Sequence, residues 1–289
     1  MQPISRAFLV SAATVVAASS LQAQSAALGS PVSASGAFVG EDSLDRAALY
    51  TQSGFVAPQG RFGFTVQAIG QNVTVEEGSE KAEVRTGGAA FSGFYGLTNA
   101  ITLGAGLPYF SQTAKLSAGG LSAEDNVDGL GDLELFGRMR AYRSMSGATK
   151  LALGAGMSVP TGDDALTNDD PTYRIGGAMS HRVNRVSFHL APDLRFAKDM
   201  SASYDLNLAA SYAATPKLGL SVEGLSSFDG MPDGFDGDRA RAIDFGAGLR
   251  YNAVENLILD LGLRTNVSNN FEGADLSTGG LTFGFNWLF

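Results

Sequence analysis

Leu281-Thr282-Phe283-Gly284-Phe285-Asn286-Trp287-Leu288-Phe289 closes the chain. Leu281, Phe283, Phe285, Trp287 and Phe289 fall on one side of a period of two. Gly280, Thr282, Gly284 and Asn286 fall on the other. A strand of this pattern carries its large apolar side chains on one face and small or polar groups on the opposite face.

The same alternation runs upstream. Leu257, Leu259, Leu261 and Leu263 alternate with Ile258, Asp260, Gly262 and Arg264, and Ile243, Phe245, Ala247, Leu249 and Tyr251 with Asp244, Gly246, Gly248 and Arg250. Tyr204 to Tyr212, Val186 to Phe196, Leu151 to Val159 and Ile101 to Tyr109 read alike. Short connections (Leu97 to Ala100, Ser144 to Ala148, Val183 to Arg185, Ala214 to Lys217, Asn252 to Asn256) alternate with long Asp- and Gly-rich ones. The long ones are Ser111 to Leu130, Thr161 to Pro171, Asp229 to Asp238 and Ser268 to Asp275. This predicts about twelve strands of roughly 9–13 residues, the length a tilted strand needs to cross a bilayer. An even number places both chain ends on the same side.

Composition says which kind of sheet this is. Of 289 residues, 37 are glycine, about twice average usage, and charged residues are only 17%. The mature chain has no run of about 18 apolar residues, so helices are excluded as the spanning element. A closed barrel is the other structure that satisfies every backbone N–H and C=O in hydrocarbon. Polar and charged residues recur in mid-strand opposite the large apolar ones, as a wet or packed lumen requires. Glycines at 104, 106, 154, 156, 246, 248, 262 and 284 fall on the expected inner face, where a narrow barrel needs small residues. Tyr109, Phe110, Tyr204, Tyr212, Tyr251, Phe271, Trp287 and Phe289 gather at strand ends and are expected to form an aromatic girdle. The expected fold is an all-β, antiparallel, transmembrane up-and-down barrel over 61–289.

The N-terminus reads as an export signal. Arg6 precedes the apolar run through Ala18, and small residues follow to Gln24, so 1–23 is expected to be a signal peptide cleaved near Ala23. Residues 24–60 are polar and small, with one candidate capped turn at Ser43 to Leu49, and are expected to form a periplasmic extension. The absence of cysteine excludes disulfides and thiolate chemistry, and a net charge of −9 argues against nucleic acid as a partner.

Arg138, Arg140, Arg174, Arg182, Arg195, Arg250 and Arg264 fall on the lumen side, with Asp132, Glu134, Asp193, Asp205, Glu223, Asp244 and Asp260. Opposite charges on adjacent strands can pair and fill the lumen, or line a constriction that selects solutes. His181 and His189 are the only histidines. A hydrolase would join His189 to Ser187 and Asp193, but nothing at recognisable spacing orients the base, and no enzyme is expected. Asp229, Asp233, Asp236 and Asp238, and likewise Asp163, Asp164, Asp169 and Asp170, lack the fixed spacing and closing glutamate of a calcium loop. They read as solvated acidic loops, and neither metal nor cofactor is expected.

Phe283, Phe285, Trp287 and Phe289 resemble the C-terminal strand signature of Gram-negative outer-membrane barrels. In that class the signature is read by the barrel-assembly machinery. The hairpin Phe94 to Tyr109, with Gly129-Leu130-Gly131-Asp132-Leu133-Glu134-Leu135 and Val159-Pro160-Thr161-Gly162-Asp163, resembles transporter barrels grouped under the MetA pathway of phenol degradation. The resemblance spans most of Gly60 to Phe289. It implies a barrel in outer-membrane lipid and lipopolysaccharide that passes small, aromatic or apolar, molecules. The alternative expectation is a plugged barrel that serves envelope structure or surface contact without transport.

Overall fold

The computed structural model describes residues 49, 51–77, 80–118, 121–164, 166–167, 170–198, 201–228, 241–254, 256–270 and 275–289. The expected signal peptide, the extension as far as residue 48, Phe271 and the acidic loop 229–238 lie outside the described residues.

Thirteen antiparallel strands follow one another: β1 (Phe62–Glu77), β2 (Glu80–Thr98), β3 (Ile101–Ala118), β4 (Leu121–Leu130), β5 (Leu133–Arg143), β6 (Thr149–Val159), β7 (Thr172–Val183), β8 (Val186–Phe196), β9 (Ser203–Ala213), β10 (Leu218–Phe228), β11 (Arg241–Val254), β12 (Leu257–Asn270) and β13 (Asp275–Leu288). Each pairs with its neighbours in sequence order except β4 and β5, which both pair with β3, and β1 pairs with β13 from Gly63–Leu288 to Glu76–Asp275. The sheet closes on itself.

Thirteen strands make a twelve-position wall because β4 and β5 share one place in it. The periplasmic half of β3 pairs with β5 (Ile101–Met139 to Gly106–Glu134), and its outer half pairs with β4 (Tyr109–Leu130 to Ala118–Leu121). The break lies at Gly131 and Asp132. Gly129 has φ +157, and a Cβ there would lie 2.1 Å from the Asp163 carboxylate, so only a residue without a side chain fits beside the incoming loop. The expected loop from Ser111 to Leu130 is thus corrected: β3 continues outward to Ala118, and β4 returns to the wall.

The period-two reading holds in burial. Leu208, Leu263, Phe188 and Leu153 face outward and are about half exposed, while Ser187, Asp193, Ser211, Glu223 and Asp260 on the opposite face are buried. Tyr109, Tyr204, Tyr212, Tyr251, Trp287 and Phe289 are exposed near the strand ends as expected. Phe110 is not: it is 3% exposed and turned inward, because its neighbour Tyr109 takes the lipid side of β3.

Beyond Tyr109 the outer face changes character. Lys81, Glu83 and Arg85 on β2, Lys115 on β3 and Glu124 and Asp128 on β4 now point outward. Arg85 pairs with Glu83 at 2.6 Å, Lys115 with Glu124 at 3.1 Å, and the Tyr109 hydroxyl donates to Asp128 at 3.1 Å. Val73, Ala82 and Val84 on the inner face of the same stretch are buried. Charges leave the outer surface where hydrocarbon begins, so β1 to β4 rise above the membrane as a taller flap than the 11-residue β8, β9 and β10.

Leu208 stands at the centre of β9, on the lipid face. Leu208→Arg is expected to destabilise the barrel by about 2–4 kcal/mol, read from urea unfolding of protein inserted in vesicles. Asn207→Ser, one residue along on the lumen face, is expected to cost under about 1 kcal/mol.

Candidate functional site

Inward positions of the wall divide into two sectors. From Gly63 to Val73 on β1, Ala82 to Gly96 on β2 and Thr102 to Leu116 on β3, every inward residue is uncharged. From Asp132 round through β12, the inward residues include all fourteen charges expected there, each of them buried or half-buried. One side of the lumen is neutral and the other is ionic. Charge alternation on β5 to β12 is visible in the sequence, and so is the matching absence of charge on the inward positions of β1 to β3.

The ionic sector is paired across neighbouring strands. Arg250 grips Asp260 with two bonds, Nε to Oδ1 at 2.6 Å and a terminal guanidinium nitrogen to Oδ2 at 2.7 Å, from directly opposite positions on β11 and β12. Asn286 of β13 donates to the same carboxylate at 2.8 Å and accepts from Thr65 of β1 at 3.0 Å. This belt crosses four strands and the closing seam. Arg264 pairs with Asp244, which also accepts from Asn266 at 2.8 Å. Arg174 donates to both oxygens of Asp193 at 2.7 and 2.8 Å, and Arg195 reaches Asp205 at 3.3 Å. Glu134 stands within Coulombic reach of Arg174 and Arg195. Arg140 and Arg182 are half-buried on the inner faces of β5 and β7. Planar guanidinium forks match carboxylates with two parallel bonds, which explains why arginine, not lysine, dominates the ladder.

Residues 49 and 51–58 form a strap inside this lumen, whereas a periplasmic place was expected for them. Glu223, only 1% exposed on β10, accepts from the Leu49 N–H at 2.5 Å and the Thr51 N–H at 2.7 Å. Arg138 donates to the Gln52 side chain at 3.4 Å, Ser180 accepts from Gly54 N–H at 2.9 Å, and Thr102 from Ala57 N–H at 2.8 Å. Phe55 and Ala57 pack with Phe94, Ile258 and Phe136. Close fit explains three glycines: a Cβ on Gly54 would meet the Lys150 carbonyl oxygen at 2.3 Å, one on Gly96 the Pro58 carbonyl oxygen at 1.9 Å, and one on Gly248 the Leu49 side chain at 2.4 Å. Glu223 and Arg138 were expected to line the lumen; that they hold a strap was not readable. The strap is short and aperiodic, and its main acceptor lies 174 residues away.

His189 Nδ1 lies 2.8 Å from Ser180 Oγ and Nε2 3.1 Å from Ser211 Oγ, so the ring bridges β7 to β9. Asp193 is engaged by Arg174, so the proposed Ser187, His189 and Asp193 set is not assembled as a relay. Asp132, 2% exposed, accepts from Ser158, Gly162 N–H and Thr167, and Asp163 accepts from Leu130 N–H at 2.7 Å. Asp170 pairs with Lys198 at 3.1 Å. Asp132 and Asp163 pin the 161–171 loop to the broken strand, and Asp170 ties it to the end of β8. Among the described residues no group of three or more potential metal ligands occurs.

A family model described as "Putative MetA-pathway of phenol degradation" matches residues 49–278, a span that begins with the strap. The crystal structure of an outer membrane channel from Pseudomonas putida F1 superposes with a TM-score of 0.66 at 18% identity, covering 81% of this chain and 97% of that one. The transport unit of the autotransporter AIDA-I from Escherichia coli gives a TM-score of 0.51 at 13% identity, covering 78% and 90%. The Ralstonia pickettii toluene transporter TbuX gives 0.48 at 9% identity, covering 89% and 97%. No curated protein matches the sequence. At these identities the likeness is one of fold: a closed outer-membrane barrel.

Arg250→Ala strands the buried Asp260 carboxylate and is expected to cost about 3–5 kcal/mol in guanidinium unfolding of reconstituted protein. Arg250→Met combined with Asp260→Leu is expected to recover most of that loss. A double-variant loss as large as the sum of the Arg250→Ala and Asp260→Ala losses would show that the pair does not act as a unit.

Proposed function

The chain belongs to the MetA-pathway phenol-degradation family, and from that premise we propose that it is a passive outer-membrane channel for small solutes, closed at rest by its own strap. The observation that carries this reading is how the strap is seated. Its backbone donates to side-chain oxygens of Glu223, Ser180 and Thr102, each an acceptor that water can replace. Such an exchange is worth about 1 kcal/mol per neutral bond, and about 1.5–3 for bonds to a charged group. Thr51 Oγ1 and Ser53 Oγ are buried without a hydrogen-bond partner among the described residues.

Fourteen lumen charges set the character of the opened passage, with Glu223 and Arg138 uncovered as the strap withdraws. Catalysis has no support in this arrangement. The family's substrate chemistry and the neutral sector of the wall both favour small uncharged or weakly polar solutes. Insertion is assigned to the barrel-assembly machinery acting on Phe283, Phe285, Trp287 and Phe289, in lipid and lipopolysaccharide, after removal of residues 1–23. The net charge of −9 argues against nucleic acid as a partner. A second reading, a permanently plugged barrel of structural use, is favoured by the same strap.

A reversible cross-link separates the two. A Cβ on Gly248 would lie 2.7 Å from Leu49 Cγ, and the chain has no native cysteine. Leu49→Cys with Gly248→Cys therefore places two thiols within disulfide reach. In planar bilayers the oxidised protein is expected to be silent, and reduction is expected to bring discrete conductance steps. Silence after reduction, and in a chain lacking 24–58, would leave the plugged barrel standing.

A further inference from the structure

The neutral sector contains a feature that the channel reading does not use. Ile69 of β1, Ala90 of β2, Phe110 of β3 and Val127 of β4 converge on Leu166, which the 161–171 loop carries into the barrel until it is 4% exposed. Phe110 lies against β2 at Gly88, where a Cβ would come within 2.9 Å of its ring and 2.4 Å of the Tyr109 carbonyl oxygen. Glycine at this position leaves room for the ring against β2. The cluster has no charged side chain. Its polar neighbours are neutral, with Gln112 donating to Thr86 at 3.3 Å.

Leu166 arrives from outside the wall. Its loop is hooked at the root: Asp163 N–H donates to the Leu130 carbonyl at 2.8 Å, Leu130 N–H to the Asp163 carboxylate at 2.7 Å, and Thr167 to Asp132. Leu166 N–H returns to the Asp163 carbonyl at 2.7 Å, closing a turn from Asp163 to Leu166. One aliphatic side chain on a polar loop thus fills an apolar recess, and the recess lies beside the break at Gly131 and Asp132.

We propose that this recess is a binding site for a small uncharged apolar molecule of about benzene size, which lies on Phe110 in the place of Leu166. Ile69, Ala90 and Val127 form its sides, and Leu166 is a resident competitor that the ligand displaces while Asp132 and Asp163 keep the loop's root in position. Burying such a molecule on an aromatic face and three aliphatic side chains draws on the same apolar contact that Leu166 now makes. An ion gains nothing here. The lumen's guanidinium–carboxylate pairs belong to β7–β12, and the nearby Asp132 and Asp163 carboxylates are already taken up by the loop's own hydrogen bonds. The proposal rests on the channel reading for the solute's passage onward, and binding itself needs no open strap.

The test uses the mature chain in lipid nanodiscs with 13C-labelled Ile, Leu and Val methyl groups, titrated with toluene. Saturable shifts are expected at Ile69, Val127 and Leu166, with Leu208 on the lipid face as the reference for partition into lipid. Leu166→Ala removes the competitor and is expected to lower the toluene Kd by roughly tenfold. Ala90→Phe fills the recess and is expected to abolish saturation. Linear shifts equal to those of Leu208 would overturn the proposal. So would an unchanged Kd in Leu166→Ala; if that variant does not fold, Leu166→Val is read in its place, with a smaller gain expected. Because these readings are taken on the closed protein, saturable binding without conductance after strap release would remove the channel and keep the site. Conductance without saturable binding would do the reverse.

Discussion

A backbone inside hydrocarbon has no water to fall back on, and this wall answers that constraint by pairing its first strand with its last. Once β1 is committed to β13, no edge remains, and everything else has to fit within a fixed ring. Outward side chains meet acyl tails whatever their detail, so Leu, Phe and Val suffice there. Inward side chains compete for a small volume, so glycine, arginine–aspartate pairs and a length of the chain itself share it. The belt from Arg250 through Asp260 and Asn286 to Thr65 adds side-chain bonds where the ring closes.

What the sequence made legible follows from how local each signal is. Period two is a local property, so strand identity, lipid face and the inward direction of residues such as Arg250 and Asp244 could be read directly. Phe110 was misplaced because an aromatic near a strand end suits a girdle, and only the phase set by Tyr109 sends it inward. The course of β3 beyond Tyr109 was hidden for a related reason. Above the membrane the outer face turns polar, so Ser111, Thr113 and Lys115 look like loop residues while they continue the ladder. The strap was beyond sequence reasoning. Nothing in Thr51 to Pro58 announces that Glu223, Ser180 and Thr102 wait for its amides from three distant strands.

The lumen divides its work between the two sectors. Buried ion pairs are costly to desolvate and become acceptable only when each charge meets a fitted partner, which the directly opposed Arg250 and Asp260 supply. The neutral sector has no such demand and can present bare surface. Strap and loop each lie where they lose least: the strap's amides against the carboxylate of Glu223, the leucine of the loop against the ring of Phe110. The strap spans both sectors, with its first amides on Glu223 and its Phe55 and Ala57 against Phe94.

The order of the chain has a consequence for assembly. The strap is covalently joined to β1, the earliest strand to be made, while the strand that seals the ring is the last. Because the strap leads directly into β1, sealing the ring between β1 and β13 around it requires no threading through a finished pore. The interior is in this sense furnished before the door is hung, and a chain that lost its terminal aromatic strand would forfeit the enclosure along with the wall.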